Sequence, residues 1–167
     1  MANSILKPTT NEPETKIMDS YIHLNPTYKL LGERYEEKDG KVVEYRRFLK
    51  VTLNTGEELI LKHLKFSSKD TYKIKLLYRE YTVGNILGSL TDGVAKSLNI
   101  QEEVEGSDTI IEILMEYGGE SLHDIIRNKL KTGDCFKITL QLLNTLTLME
   151  KINISTLRHQ TSEYCLG

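Results

Sequence analysis

The sequence predicts an α+β chain: a five-stranded antiparallel sheet with one helix inserted after the third strand, then two further helices. Three observations carry this. The turn signals Asp39-Gly40 and Asn54-Thr55-Gly56 divide residues 28–66 into three stretches rich in β-branched and aromatic residues. The apolar period becomes helical over residues 69–90. It then returns to strand character over 94–100 and 109–117, before two more helical stretches.

Taken in order, residues 1–27 hold all three prolines (Pro8, Pro13, Pro26) among Thr, Asn and Glu, and read as a polar, mobile leader. Tyr28-Lys29-Leu30-Leu31 opens the first strand, residues 42–53 form the second and residues 58–64 the third. In the helix that follows, Leu76, Val83 and Leu87 share a face, with Ser67, Ser68 and Asp70 as cap candidates, and Asp92-Gly93 ends it. The next two strands flank an acidic loop at 101–108, and Gly118-Gly119 closes the sheet. Ser121 with Asp124 is a capping box for a short helix whose apolar face is Leu122, Ile125 and Ile126. Residues 136–152 read as a buried helix, because only Lys137, Gln141, Asn144 and Lys151 make a polar stripe on it. From Thr156 onward neither period is present.

Composition excludes several classes. The chain has 167 residues, enough for one domain, with a formal charge of −2 and 28% charged residues. So balanced a charge lacks the basic footprint of a nucleic-acid binder or of a polybasic membrane-surface protein. Cys135 and Cys165 form neither a disulfide framework nor a C-x-x-C zinc pair. No run approaches the ~18 apolar residues that span a bilayer. The N-terminus lacks a signal-peptide core, so the expected compartment is cytoplasmic or nuclear. His23, His63, His123 and His159 show no metal spacing, and Cys135 reads as a small apolar residue ahead of the buried helix.

Two charges stand out. On the third strand Ile60, Lys62, Leu64 and Phe66 alternate onto one face, which puts a cation among apolar residues. On the following helix Glu80, the only acid between Asp70 and Asp92, shares a stripe with Leu76, Val83 and Leu87. A buried charge is costly unless paired. A Lys62–Glu80 ion pair answers both oddities; alternatively Lys62 extends its stem to water and Glu80 sits at the helix edge.

This arrangement resembles the small lobe of a eukaryotic protein kinase. Leu59-Ile60-Leu61-Lys62 is similar to the V-A-I-K strand, and Glu80 to the glutamate of the helix that follows it. Ile113-Leu114-Met115-Glu116-Tyr117 is similar to the strand into the hinge, with Met115 at the gatekeeper position. Residues 120–126 and 136–152 resemble the first helix and the long central helix of the large lobe. The resemblance divides the chain into a leader (1–27), a small lobe (28–117), a hinge with the start of a large lobe (118–155) and an unpatterned tail (156–167). It implies an ATP site in which Lys62, oriented by Glu80, holds the phosphates. Adenine would lie beneath Ile60 and meet the hinge backbone at Glu116, Tyr117 and Gly118, beside Met115.

The departures from that pattern set the expected function. A glycine-rich loop should lie about fifteen to twenty residues before the lysine, yet residues 42–51 contain no glycine. Ile60 stands where the kinase has the small alanine above adenine. ATP binding is therefore expected to be weak, with Mg²⁺ bound only alongside ATP. After the central helix the chain reads Thr156-Leu157-Arg158-His159-Gln160, without H-R-D, D-F-G or A-P-E. With no catalytic base and no metal-binding residues, this chain is not expected to transfer phosphate. The loss of pattern past Ser155 reads as truncation of a longer ancestor. Three readings remain: a kinase-family domain inactive as it stands, a non-catalytic pseudokinase-like module acting on a protein partner, and an unrelated α+β adaptor.

Overall fold

The computed structural model describes residue 5, residues 15–128 and residues 130–154. The unpatterned tail lies outside the described residues.

Strands β1 (Thr27–Lys38) and β2 (Lys41–Thr52) form one long hairpin. It turns on Asp39 and Gly40, at φ 54° and 72°. Two successive positive φ values give a turn whose twist matches that of the strands, and Asp-Gly tolerates them. Strand β3 (Glu58–Ser67) pairs with β2, then helix α1 (Thr71–Leu90) crosses the sheet. Strands β4 (Ser97–Glu105) and β5 (Asp108–Glu116) complete a five-stranded antiparallel sheet ordered β1-β2-β3-β5-β4. The predicted α+β class, strand count and inserted helix are all present. The apolar β5 takes the interior position beside β3, and the acidic β4 takes the edge, where its carboxylates reach water.

Apolar residues on both faces of the sheet are covered. On one face Leu64, Phe66, Ile111 and Ile113 pack with Leu77 of α1, joined by Ile74, Tyr81, Ile100 and Met115. On the other, Leu49, Val51, Leu53, Leu59, Leu61 and Leu114 pack beneath Ile17 and Met18. Those two residues belong to a 3₁₀ helix, Lys16–Leu24, within the stretch expected to be a mobile leader. Ile17, Met18, Tyr21 and Leu24 recur at helical spacing, but their polar neighbours dilute the signal. Thr15 caps the helix, its Oγ1 accepting from the Ile17 amide at 3.3 Å.

Three further expectations are corrected. Most of the acidic stretch 101–108 is strand rather than loop: residues 101–105 pair with β5, and the turn shrinks to Gly106-Ser107. Lys65 pairs with Glu105, and Tyr78 donates to Glu102 at 2.7 Å, so the acids of this edge gain partners across the sheet and from α1. On α1 the residues buried are Leu77 and Leu87, while Leu76 and Val83 are half-buried. Two glycines set that orientation. A Cβ on Gly88 would overlap the Lys96 backbone, and one on Gly84 would overlap Ser97. The line Leu77–Gly84–Gly88 is therefore where helix and sheet approach most closely.

The third correction concerns α3 (Thr132–Lys151), which follows the short α2 (Leu122–Arg127). Expected as a buried helix, it buries no residue. Cys135 in its first turn is exposed as well. Its polar residues Gln141, Asn144 and Thr145 border the loop at 91–95 and the segment 116–118 across a cavity of about 560 Å³. Its least exposed residues are Ile138, Thr145, Leu148 and Met149, while Phe136, Leu140, Leu142, Leu143 and Leu146 are exposed.

Candidate functional site

Alternation on β3 places Lys62 on the face covered by α1, with Phe48 of β2 and Ile113 of β5 as its cross-strand neighbours. The lysine side chain is 8% exposed, and its Nζ donates to both carboxylate oxygens of Glu80, at 2.8 and 2.9 Å. The Glu80 side chain is 37% exposed. The pair is lopsided: the cation is buried, while the anion sits at the rim with access to water. Of the two sequence readings, pairing is the one the structure contains. The lysine does not extend to solvent; the helix brings a carboxylate to it. Burial strengthens the attraction, and the two-oxygen geometry satisfies the ammonium where water is scarce.

A second ion pair anchors the start of α1. Lys73 reaches the buried Glu44 of β2 and also lies 3.6 Å from Asp70. Burial lowers the pKa of Lys73, with Glu36 acting in the opposite direction. Asp70 caps the helix, its Oδ1 accepting from the Lys73 amide at 3.1 Å. Two cation–carboxylate pairs, two turns apart along α1, thus fix how the helix lies on the sheet.

The residues that the resemblance assigns to adenine lie beside this pair. Ile60 is half-buried between Lys50 of β2 and Met115 of β5. Met115 packs against the Leu64, Phe66 and Leu77 cluster. Past β5, the Glu116 amide donates to the Lys96 carbonyl at 2.9 Å, and the Tyr117 amide to the Glu58 carbonyl at 3.3 Å. Both N–H groups are committed to the sheet. The Gly118 amide has no hydrogen bond among the described residues. The structure therefore brings Ile60, Lys62, Glu80 and Met115 onto one face, with Glu116, Tyr117 and Gly118 at its edge.

Lys50 and Phe48 join this face although no sequence motif marks them. Directly opposite Ile60, Lys50 pairs with Glu58 at 2.8 Å and holds its ammonium 4.5 Å above the Tyr117 ring. The bond to Glu58 raises its pKa. Phe48, opposite Lys62, lies with its ring centroid 5.9 Å from the lysine Nζ. Only the cross-strand register identifies these two, and no local pattern shows that register. β1 and β2 pair along their length with two register shifts, and Phe48, Lys50 and Ile60 share the face of Lys62.

No family model, curated protein or solved structure matches this chain.

Among the described residues, no group of three or more His, Cys, Asp or Glu is placed to hold a metal ion. His63 lies 3.2 Å from the buried Glu112 on the opposite face of the sheet from Lys62, while His23 and His123 are exposed. His159 lies outside the described residues. No described helix is long and apolar enough to cross a membrane.

Proposed function

We propose that this chain is a protein-kinase-like small lobe, continued by the hinge and the first helices of a large lobe, and that it works through protein contacts rather than phosphotransfer. The observation that carries the reading is the Lys62–Glu80 pair, made with both carboxylate oxygens between the third strand and the helix inserted after it. The strand order β1-β2-β3-β5-β4 supports it. In kinases such a pair positions the lysine for phosphate. Here it closes a face that it shares with Phe48, Lys50 and Ile60. The pair then acts as a structural clamp of α1 on the sheet.

The test is a thermal-shift titration of the chain with ATP and Mg²⁺, beside Lys62→Met. The reading expects no saturating shift below about 1 mM ATP in either protein; a ligand present at ~100 times its Kd adds about 2.7 kcal/mol and would be seen. A saturating shift in the parent that disappears in Lys62→Met would replace this reading with that of a nucleotide-binding lobe.

A further inference from the structure

The β1–β2 ladder sets like charges against each other on one face. Lys29 stands directly opposite Lys50, and Arg34 directly opposite Arg46. Between those ranks Gly32 faces Phe48, and β3 continues the middle rank with Lys62. Like charges directly opposite each other destabilise a pair of strands. Lys50 and Arg46 are drawn off by Glu58 and Glu44. Lys29 and Arg34 are exposed and have no ion pair or side-chain hydrogen bond among the described residues. A Cβ on Gly32 would meet nothing within 4 Å, so the floor between these two cations is open. Helix α1 lies over β4 and β5, at the far side of the sheet. β1 is also an edge strand, so the N–H and C=O groups of alternate residues point away from β2.

We infer that an extended acidic segment of a partner protein adds to β1 as a sixth strand, with two carboxylates against Lys29 and Arg34. Edge and cations are met by one ligand. The open edge calls for a chain in strand conformation. The cations call for two anionic groups, and their spacing says how they are carried. Arg46 and Lys50 mark the same two ranks on β2, which puts the ranks about 13 Å apart at ~3.3 Å per residue. A single phosphate cannot reach both. Acids four residues apart on a strand match the distance and fall on one face. The side chain midway between them meets Gly32 and Phe48. The rank beyond Arg34 is acidic, Glu36 opposite Glu44, so the acidic pattern of the partner has to end there. Charges on an edge repel strands of their own sign; cations without partners therefore exclude basic strands and admit an acidic one. The inference rests on the protein-contact part of the function proposed above and not on the fold relation. The ATP titration tests that function without involving β1, so either can fail alone.

The probe is a labelled peptide, Thr-Val-Thr-Glu-Thr-Val-Thr-Glu-Thr-Val-Thr, titrated with the full chain and followed by fluorescence anisotropy. The expected Kd is about 100 µM or below at low salt. Binding should weaken several-fold between about 50 and 300 mM salt. Lys29→Glu with Arg34→Glu should weaken it about tenfold or more and should instead bind the peptide with lysine in place of both glutamates. The thermal midpoint of that variant should not fall, because the reversal sets opposite charges across both ranks. Hydrogen exchange on binding should slow at β1 amides and not at β4, the other edge. No binding up to about 1 mM peptide, equal binding of the lysine peptide or of a short oligothymidylate to the parent chain, binding that survives the double reversal, or β1 amides left unprotected would each overturn the inference.

Discussion

The Lys62 ammonium lies between the two carboxylate oxygens of Glu80, 2.8 and 2.9 Å away, with the lysine buried and the glutamate at the rim. That asymmetry makes the two residues unequal under mutation. Glu80→Ala removes the carboxylate from a buried cation and should cost about 1–3 kcal/mol, below the cost for a fully buried pair because the carboxylate side is wet. Lys62→Met places a flexible apolar chain among Phe48 and Ile113 and should fall within about 1 kcal/mol of the parent. Urea unfolding midpoints at constant slope measure both, and equal losses would show that the asymmetry carries no energy.

Gly88 should resist replacement although it lies inside a helix. Alanine gains about 1 kcal/mol in helix propensity there. A Cβ at that position, however, overlaps the Lys96 backbone, which cannot rotate away as a side chain tip can. The expected net loss for Gly88→Ala is about 2 kcal/mol or more. Gly32→Ala, in open space on β1, should change stability by no more than about 0.5 kcal/mol. Paired thermal denaturation curves decide this, and a stabilised Gly88→Ala would place the helix farther from β4.

Ile17→Ala should destabilise the sheet domain by about 2–4 kcal/mol, the usual cost of a cavity in a core. Ile17 is 1% exposed against Leu49, Leu59 and their neighbours. Lys16→Ala, one residue earlier and exposed, serves as the neutral control. Equal midpoints for the two variants would mean that the 3₁₀ helix adds nothing to the core.

Tyr45 should make the fold sensitive to alkali. Burial first, and then its hydrogen bond to Glu33 at 2.9 Å, raise its pKa well above the ordinary 10.0. Above that ordinary value the unfolded chain has lost the proton while the folded chain still holds it. Stability therefore falls as pH rises from about 10 toward the folded pKa, and the contribution is fully present below 10. Tyr45→Phe should flatten this alkaline limb, and tyrosinate absorbance should show one late-ionising ring fewer. An unchanged limb would assign the sensitivity elsewhere, with Tyr78, raised by its bond to Glu102, as the next candidate.

Local chemistry is what the sequence determined. Asp39-Gly40 has to turn because few other pairs accept two positive φ values, and Ser121 has to cap because its hydroxyl reaches the Asp124 amide, at 3.2 Å. The Lys62–Glu80 pair was legible for a related reason: each charge interrupts an otherwise apolar face, and an interruption in a period of known length points in a known direction. Tertiary structure decided what depends on register and on competition between faces. Lys50 and Phe48 joined the candidate site only through the β2–β3 ladder, a long-range pairing that leaves no local trace. The acidic 101–105 became strand because β5 offered it an edge, and Leu77 displaced Leu76 because two glycines allowed the helix closest along their own line. Residues 16–24 gained an element because the sheet had an apolar face to cover. The exposure of α3 has the same origin. Amphipathicity fixes that a helix has two faces, but how far either is covered depends on what the rest of the chain presents, here the loop at 91–95 and the segment 116–118 beside Gln141, Asn144 and Thr145.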